Sequence, residues 1–408
     1  MKQILLVTQY FHPENFKSND IAFELAKKGY KVSVLAGIPN YPEGKYFRGY
    51  GLFSKRIETI NGVKVYRVLQ IPRGKNNSLK LALNYLSYAF FASIWSIFLS
   101  LAKKYDAIIV HEPSPITQGI PAIIVKYLQR IPIYFWVLDI WPDAMTSGGG
   151  IKNKRILSAI DQLVKFIYNH SDKILISSKG FKTLIASKGN FKHKIEYFPN
   201  WSEDMLKTNE DVTVPQLPDG YKIMLAGNLG KSQNLDAVMK AIWLLRDIQE
   251  LKWIFVGDGS MKEEIEKFAT QNNLENSIIL LGRFPLNAMP NLFSQADALL
   301  LTLKAEFPHL KLVVPARLQS YMAAAKPVIG MIDGGGAEII LESDCGIAVN
   351  AGDYINLSDE IRNQILINKE NFTIKGKNGR SYFEQNFSKE VCINRLIEIL
   401  NENKNESE

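Results

Sequence analysis

Residues 222–259 read KIMLAGNLGKSQNLDAVMKAIWLLRDIQELKWIFVGDG, and the order of elements in this stretch decides the fold. An apolar run, Lys222–Ala226, turns on Gly227 and Gly230 into a helical segment. A second apolar run, Trp253–Val256, follows and ends again in glycine. Two strands separated by a helix must run parallel, because a tight hairpin joins only antiparallel strands. Strands that are apolar throughout, without alternation, are covered on both faces.

The unit repeats in both directions. Downstream come Ile278–Leu281, Ala298–Thr302 and Pro327–Gly330. Upstream come Gln3–Thr8, Val32–Ala36, Val63–Leu69, Ala107–His111, Ile133–Val137, Lys173–Ile176 and Ile195–Phe198, with helical segments such as Asn19–Lys28, Thr117–Gln129 and Lys154–Asn169 between them. The two series are separated by the polar, acidic residues 202–220, which end near Pro215 and Pro218 and read as a linker. A chain of 408 residues also exceeds the ~250–300 at which a single core stops growing. The sequence therefore predicts an α/β protein of two doubly wound, Rossmann-like domains, 1–201 and 221–386, facing each other across a cleft. The C-terminal stretch 387–408, amphipathic over Glu390–Glu402, is expected to pack back on the first domain. Ligands of such sheets bind beyond the carboxyl ends of the strands.

Composition narrows the function. Hydrophobic residues make up 46% and charged residues 22%, which is globular. Cys345 and Cys392 have neither a disulfide nor a metal-ligand spacing and point to a reducing compartment. The opening MKQILLVTQYF has an apolar run too short for a signal peptide and reads as a first strand. The net charge of +8 is uneven: residues 1–110 hold 16 Lys and Arg against 6 Asp and Glu. That excess suits an anionic partner, nucleic acid or membrane, and no nucleic-acid motif accompanies it. No Gly-x-Gly-x-x-Gly follows the first strand, which disfavours a dinucleotide enzyme. Walker-type loops and Asp-x-Asp pairs are also missing. A diphosphate would then be neutralised by backbone amides and cationic side chains, with no metal and no cofactor.

The second domain has loops of that kind. Gly227, Asn228, Gly230 and Lys231 lead into a helix, whose N-terminus offers free N–H groups. Asp258 follows the next strand and Arg283 the third. Arg317 can make a paired contact to phosphate and Lys311 adds charge. Gly334, Gly335 and Gly336 admit close backbone approach. Singly, each is as well explained by a turn, a cap or a surface cation.

Taken in order, GNLGK, FVGDG, LLGR, AAAKPVIG and GGGAEII resemble the family 4 retaining glycosyltransferases of the two-domain GT-B fold, over essentially the whole chain. The segments YFHPENFKSNDIAFELAKKGYKVSVLAGIPNYPEGKYFRGY, VHEPSPITQG and VLDIWPDA look like a subgroup that builds bacterial O-antigens and capsules and includes N-acetylfucosaminyl transferases. The resemblance implies transfer of a sugar from a nucleotide diphosphate, UDP by preference, to a polyprenyl-diphosphate-linked saccharide. Donor contacts are then expected from the residues above together with Gln319 and Ser320. The sequence departs from the family at two points. Leu312 and Ser320 stand where two glutamates eight residues apart are usual, and Asn228 and Gln233 stand where Arg and Lys usually clamp the diphosphate. Lys231 and Arg317 are the substitutes available.

In the first domain the resemblance places His111 near the donor sugar, in a positioning and electrostatic role, with Glu112 beside it. Asp139 and Asp143, four apart after a strand, are each a candidate hydrogen-bond partner or base for the acceptor, or simply helix caps. Acceptor contacts are expected from His12, Asn19, Asp20, Asn40 and Tyr41, with Asn19 and Asp20 equally readable as caps of the first helix. Residues 81–102, LALNYLSYAFFASIWSIFLSLA, carry no charge and are flanked by Lys80, Lys103 and Lys104. They match the ~20 residues that span a bilayer. Strands on either side belong to one sheet, so the segment is expected to be a crossover helix that lies in the membrane interface through Phe90, Phe91, Trp95 and Phe98, with Ser93, Ser96 and Ser100 facing the domain. This puts the protein on the cytoplasmic face of a bacterial inner membrane, as a peripheral protein. A nucleotide-sugar epimerase of the same architecture and a non-catalytic scaffold of polysaccharide assembly are the rival readings.

Overall fold

The computed structural model describes residues 2–75, 77–148, 153–206, 211–304, 306 and 311–402. The chain divides into two compact units, one of Met1–Phe198 with the chain from Ile393 on, the other of Pro199–Cys392.

The first unit is built on an eight-stranded sheet. Its strands are β1 (Gln3–Val7), β2 (Lys31–Gly37), β3 (Ile57–Ile60), β4 (Val63–Val68), β5 (Ala107–Glu112), β6 (Ile133–Val137), β7 (Lys173–Ile176) and β8 (Ile195–Tyr197). They lie in the order β3-β4-β2-β1-β5-β6-β7-β8, all parallel except β3. The helices are α1 (Lys17–Lys27), α2 (Ser78–Ala102), α3 (Gly119–Gln129), α4 (Asp143–Gly148), α5 (Lys154–His170) and α6 (Phe181–Ser187). The central strands Ile4–Val7, Val34–Ala36, Ile108–Val110 and Tyr134–Val137 are almost wholly buried, which is why they read as unbroken apolar runs.

Helix α2 is the crossover from β4 to β5. Asn77 caps it, its side chain accepting from the Lys80 amide at 2.8 Å. Asn84, Tyr88, Ala89, Ala92, Ser96, Leu99 and Ser100 are buried against the domain. The opposite face is bare: Leu79 is 70% exposed, Leu86 60%, Phe90 62%, Phe98 62% and Leu101 79%, with Leu83, Ile94 and Ile97 also exposed. By length and composition, with a mean hydropathy of 1.5, this helix could cross a membrane, yet β4 and β5 share one sheet. Phe91 and Trp95, expected on the bare face, are half-buried instead, and Trp95 packs against Tyr66 with ring centroids 6.0 Å apart. They sit at the flank of the helix, where neighbouring elements reach them. Lys103 lies over the same Tyr66 ring at 5.1 Å and Lys104 is exposed.

The second unit has a six-stranded parallel sheet in the order β11-β10-β9-β12-β13-β14, made of β9 (Tyr221–Ala226), β10 (Leu251–Val256), β11 (Ile278–Gly282), β12 (Ala298–Thr302), β13 (Val328–Met331) and β14 (Gly346–Val349). Its helices are α7 (Leu235–Leu244), α8 (Lys262–Gln271), α9 (Met289–Gln295), α10 (Ala316–Ala323), α11 (Gly335–Glu342), α12 (Tyr354–Glu360), α13 (Lys369–Asn386) and the start of α14 (Lys389–Glu402). Two apolar clusters fill its core. The stretch 202–220 does not stand apart as a connector. Its described residues pack into this unit: Met205 and Leu217 are buried, Arg380 donates to Asp204 at 2.7 Å, and the Leu217 amide donates to Gln295 at 2.9 Å. From Ile393 on, α14 packs in the first unit, where Arg395 donates to Glu196 at 2.5 Å and Lys2 to the Leu400 carbonyl at 2.7 Å.

Candidate functional site

The second unit holds a cavity of about 440 Å³ at the carboxyl ends of β9, β10 and β11, within the size range of small-molecule sites. Gly227 and Asn228 follow β9, Gly257 and Asp258 follow β10, and Arg283 and Phe284 follow β11. Arg317, Ser320 and Tyr321 come from α10. The loops are laced together: the Gly227 amide donates to the Val256 carbonyl, the Leu229 amide to Asp258 and the Gly257 amide to Gly282, all at 2.8–2.9 Å. Gly257 has φ +142°, and a Cβ there would stand 1.8 Å from the Gly227 oxygen, so only glycine fits.

The cavity is polar at one end and apolar at the other. Met205, Leu286, Met289 and Phe293 line the apolar end. At the polar end Arg317 donates to the Ala226 carbonyl at 3.4 Å and to Gln233. Asp258 and Arg283 pair at 3.4 Å, both substantially exposed. This pair is worth little to stability but leaves two polar groups free to turn to a ligand. Ser320 bonds Ser202 hydroxyl to hydroxyl at 2.8 Å. The neutral pair stands where the family that the sequence resembles usually carries a carboxylate.

Of the residues expected around a donor, the cavity lining brings together Gly227, Asn228, Asp258, Arg283, Arg317 and Ser320. It does not include the others. Gln319 is buried, its amide within reach of the Pro315 and Ala316 carbonyls at 3.2 and 3.0 Å, because it lies on the core side of α10. Lys311 is tied to Asp333 at 3.0 Å. Gly334 has φ +64° and packs on the Lys311 carbonyl, while Gly335 and Gly336 are buried in the first turn of α11. Gly230 precedes a short turn on which Lys231 is exposed. Met205 and Ser202 were missed because they lie in a polar stretch that gives no strand or helix pattern.

Replacing Arg317 by Ala removes the guanidinium from the polar end. We expect donor binding to weaken by ~1.5–3 kcal/mol, as for hydrogen bonds to charged groups. Unchanged affinity by calorimetry would remove Arg317 from the site.

A second group of chemistry-bearing residues gathers at the carboxyl edge of the first sheet. His111, at the end of β5, is 1% exposed. The Thr8 hydroxyl donates to the Tyr10 carbonyl at 3.2 Å, so the ring's Nδ1–H donates to Thr8 Oγ1, also at 3.2 Å. Nε2 is left as an acceptor. Burial first, then the Lys17 charge, pushes this imidazole down to about 3, so it is neutral and acts as a hydrogen-bond acceptor, not as a cation.

Glu112 is fully buried, and its oxygens have no hydrogen bond of ordinary geometry among the described residues. The same holds for the Trp141 indole N–H. Burial and then the nearby Asp139 raise it well above the ordinary carboxyl range, an effect that the amides of Asp139 and Leu138 and the Trp141 indole offset only in part. Asp139 is itself raised to about 6 by burial. Both carboxyls therefore resist ionisation more than an exposed carboxyl does, Glu112 in part because Asp139 is close. Asp143 opens the short helix α4.

The expected acceptor residues divide. Asn40 is buried, bonded to the Ile38 carbonyl at 3.0 Å and accepting from the Arg73 amide at 3.0 Å, and is structural. Asn19 accepts from the His12 amide at 2.8 Å and donates to the Glu14 carbonyl at 2.7 Å, so it ties a loop rather than facing a ligand. Asp20 pairs with Lys17 at 3.5 Å in the first turn of α1. His12 lies beside the buried Arg67, which donates to its carbonyl at 2.7 Å. Tyr41 is the most open of the five: it is 38% exposed and packs with Phe16 and Tyr10 at 5.3 and 5.8 Å between centroids. Glu14, which no motif marked, organises this corner by accepting from the Asn40 and Tyr41 amides at 2.8 and 2.7 Å, and burial lifts it to about 7. Among the described residues no three His, Cys, Asp or Glu side chains are grouped to hold a metal.

Comparison with known proteins bears on the family and the fold. Residues 18–201 match the family model of the glycosyl transferase 4-like domain, and residues 208–382 that of the glycosyl transferases group 1. The chain is 26% identical over 406 residues to WcaI of Escherichia coli (strain K12), named for colanic acid biosynthesis as a glycosyl transferase, covering 91% of this chain and 92% of that one. Among solved structures, HepE of Anabaena, in complex with UDP, superposes with a TM-score of 0.70 at 15% identity, over 98% of this chain and 99% of that one. WaaG, a glycosyltransferase involved in lipopolysaccharide biosynthesis, does so with a TM-score of 0.63 at 13% identity, over 98% and 100%. These structures share the GT-B fold with the two units described above.

Proposed function

The chain is a glycosyltransferase with a glycosyl transferase 4-like first half and a glycosyl transferases group 1 second half, and from that premise we propose that it moves a sugar from a nucleotide diphosphate to a lipid-linked saccharide in bacterial surface-polysaccharide synthesis. The observation that carries this reading is the cavity of the second unit. Its apolar end suits a nucleobase, and Arg317 at its polar end suits a diphosphate. UDP is the preferred carrier, since HepE binds UDP. The donor sugar is an N-acetylated deoxyhexose or hexosamine, transferred with retention, by resemblance to the capsule and O-antigen subgroup. The acceptor is a polyprenyl-diphosphate-linked saccharide such as a capsule or O-antigen precursor, by the same resemblance; WcaI and WaaG are named for colanic acid and lipopolysaccharide biosynthesis, which favours a surface polysaccharide. Since Arg317 supplies a cation at the polar end of the cavity, we take the reaction to be metal-independent. Turnover of a panel of nucleotide sugars with membranes, scored as nucleotide diphosphate release with and without chelator, tests all of this. Nucleotide binding without release in every case would favour the scaffold reading, and loss of release in chelator would refute metal independence.

In this reaction His111 Nε2 accepts from a sugar hydroxyl and fixes the ring for attack. Such a contact acts through orientation, so His111→Ala lowers kcat more than donor affinity. Equal losses of binding and thermal stability would leave His111 a structural residue. Asp139, ionised above its value of about 6, accepts from the acceptor hydroxyl. Activity is therefore expected to rise with pH through about 6 and to lose that limb in Asp139→Asn. An unchanged limb would exclude Asp139.

The bare face of α2 supports the reading that the first unit docks on the cytoplasmic leaflet of the inner membrane as a peripheral protein. Phe90, Phe98, Leu86 and Leu101 enter the interface, and the basic residues of 1–110 meet anionic headgroups. This brings the enzyme to an acceptor that does not leave the bilayer.

A further inference from the structure

We propose that Arg73, with the apolar ledge of Ile71, Leu83 and Leu86 beside it, binds the diphosphate and the first isoprene units of a lipid diphosphate; this rests on the lipid-linked acceptor proposed above. The Arg73 guanidinium is half-buried and lies over the Tyr41 ring at 4.8 Å. It has no carboxylate partner among the described residues, whereas nearby Lys75 is paired with Glu43 at 2.9 Å. A half-buried cation held on an aromatic face and left without an anion is built to receive one.

The loop that carries Arg73 is fastened along α2. Asn84 donates to the Ile71 carbonyl at 2.6 Å and the Ile71 amide to Ser87 Oγ at 2.9 Å. The Arg73 amide is held by Asn40 at 3.0 Å. Ile71 is 42% exposed and sits against the turn of α2 that bears Leu83 and Leu86, 39% and 60% exposed. The loop that bears this cation is therefore fastened beside an uncovered apolar ledge. A free anion would need only the cation and a neutral lipid only the ledge. An anionic head on an apolar chain uses both.

The site lies on the same corner as the candidate acceptor groups. Tyr41 packs on Phe16, which faces His111 at 6.5 Å, and Tyr85 of α2 approaches both Tyr10 and Asp139. A saccharide attached to the bound diphosphate would extend along these rings toward His111 and Asp139.

The test is binding of farnesyl diphosphate, inorganic diphosphate and farnesol to the full chain in detergent, by calorimetry. Farnesyl diphosphate is expected to bind at least roughly tenfold more tightly than either of the others. Arg73→Gln should weaken it roughly ten- to a hundredfold, with Arg73→Lys recovering part. The Ile71→Ser, Leu83→Ser pair should reduce farnesyl diphosphate to the affinity of inorganic diphosphate. Circular dichroism melts report folding of each variant. Equal affinity for inorganic and farnesyl diphosphate, or unchanged binding by a folded Arg73→Gln, overturns the proposal. UDP binding is measured in parallel: if the wild type fails to bind UDP, the donor reading has failed, independently of Arg73.

Discussion

Gly257→Ala is expected to abolish donor binding and to destabilise the second unit by roughly 2–6 kcal/mol. The residue has φ +142°, a region that side chains rarely adopt, which costs ~1–3 kcal/mol. Its new methyl would stand 1.8 Å from the Gly227 oxygen and 2.9 Å from the carbonyl carbon, and such overpacking costs ~1–3 kcal/mol more. Relief cannot be local. The Gly257 amide is bound to Gly282 at 2.8 Å and the Gly227 amide to Val256 at 2.8 Å, so both loops must move. Gly227 packs on the Arg317 side chain, with only 3.1 Å between its notional Cβ and Arg317 Cδ, and the displacement would carry that guanidinium away. Gly282→Ala is the control. It also has a positive φ, +77°, but nothing lies within 4 Å of an added Cβ, so it bears only the conformational cost of ~1–2 kcal/mol. If thermal melts and UDP titrations rank the two variants alike, the close approach of the loops is not what the site depends on.

The second large effect is on membranes. Replacing Phe90, Ile94, Ile97 and Phe98 by Ser should cut binding to anionic vesicles about a thousandfold. These side chains are 62%, 37%, 44% and 62% exposed, so about half of each is available to enter lipid. At roughly 1 kcal/mol apiece the four sum to about 4 kcal/mol, or three decades of partitioning. Phe91 and Trp95 are left alone, because their half-buried rings would report on folding as much as on lipid. Vesicle sedimentation at low and high salt, with circular dichroism, separates the contributions. Undiminished binding by the folded variant would mean that α2 is not the docking face.

The strands and their order of connection were legible because a doubly wound sheet writes itself as repeated apolar runs with helices between. Two strands escaped. β3 has an exposed, alternating pattern and pairs on one side only, and β14 is a short edge strand with three of its four residues only half-buried. The cavity of the second unit was legible where a loop follows a strand, as at Gly227, Asp258 and Arg283, since position at a strand end is a property of sequence order. Gln319 and Ser320 are adjacent in sequence, yet α10 turns one to the core and the other to the cavity. At the first sheet's edge, Asn19 and Asn40 were the right kind of residue for a sugar contact but are spent on loop backbone. Glu14 and Arg73 carry no motif at all. Their meaning comes from burial and from partners distant in the chain.

Met205 and Ser202 carry a practical consequence for anyone exchanging donor specificity between such enzymes. The portion to transplant does not begin with the first strand of the second sheet. It begins at Pro199, because Met205 forms a wall of the cavity and Ser202 a partner of Ser320. It runs on through Arg380, which grips Asp204 at 2.7 Å. A graft cut at residue 221 would import the cavity with one side supplied by the host, and would inherit part of the host's preference with it.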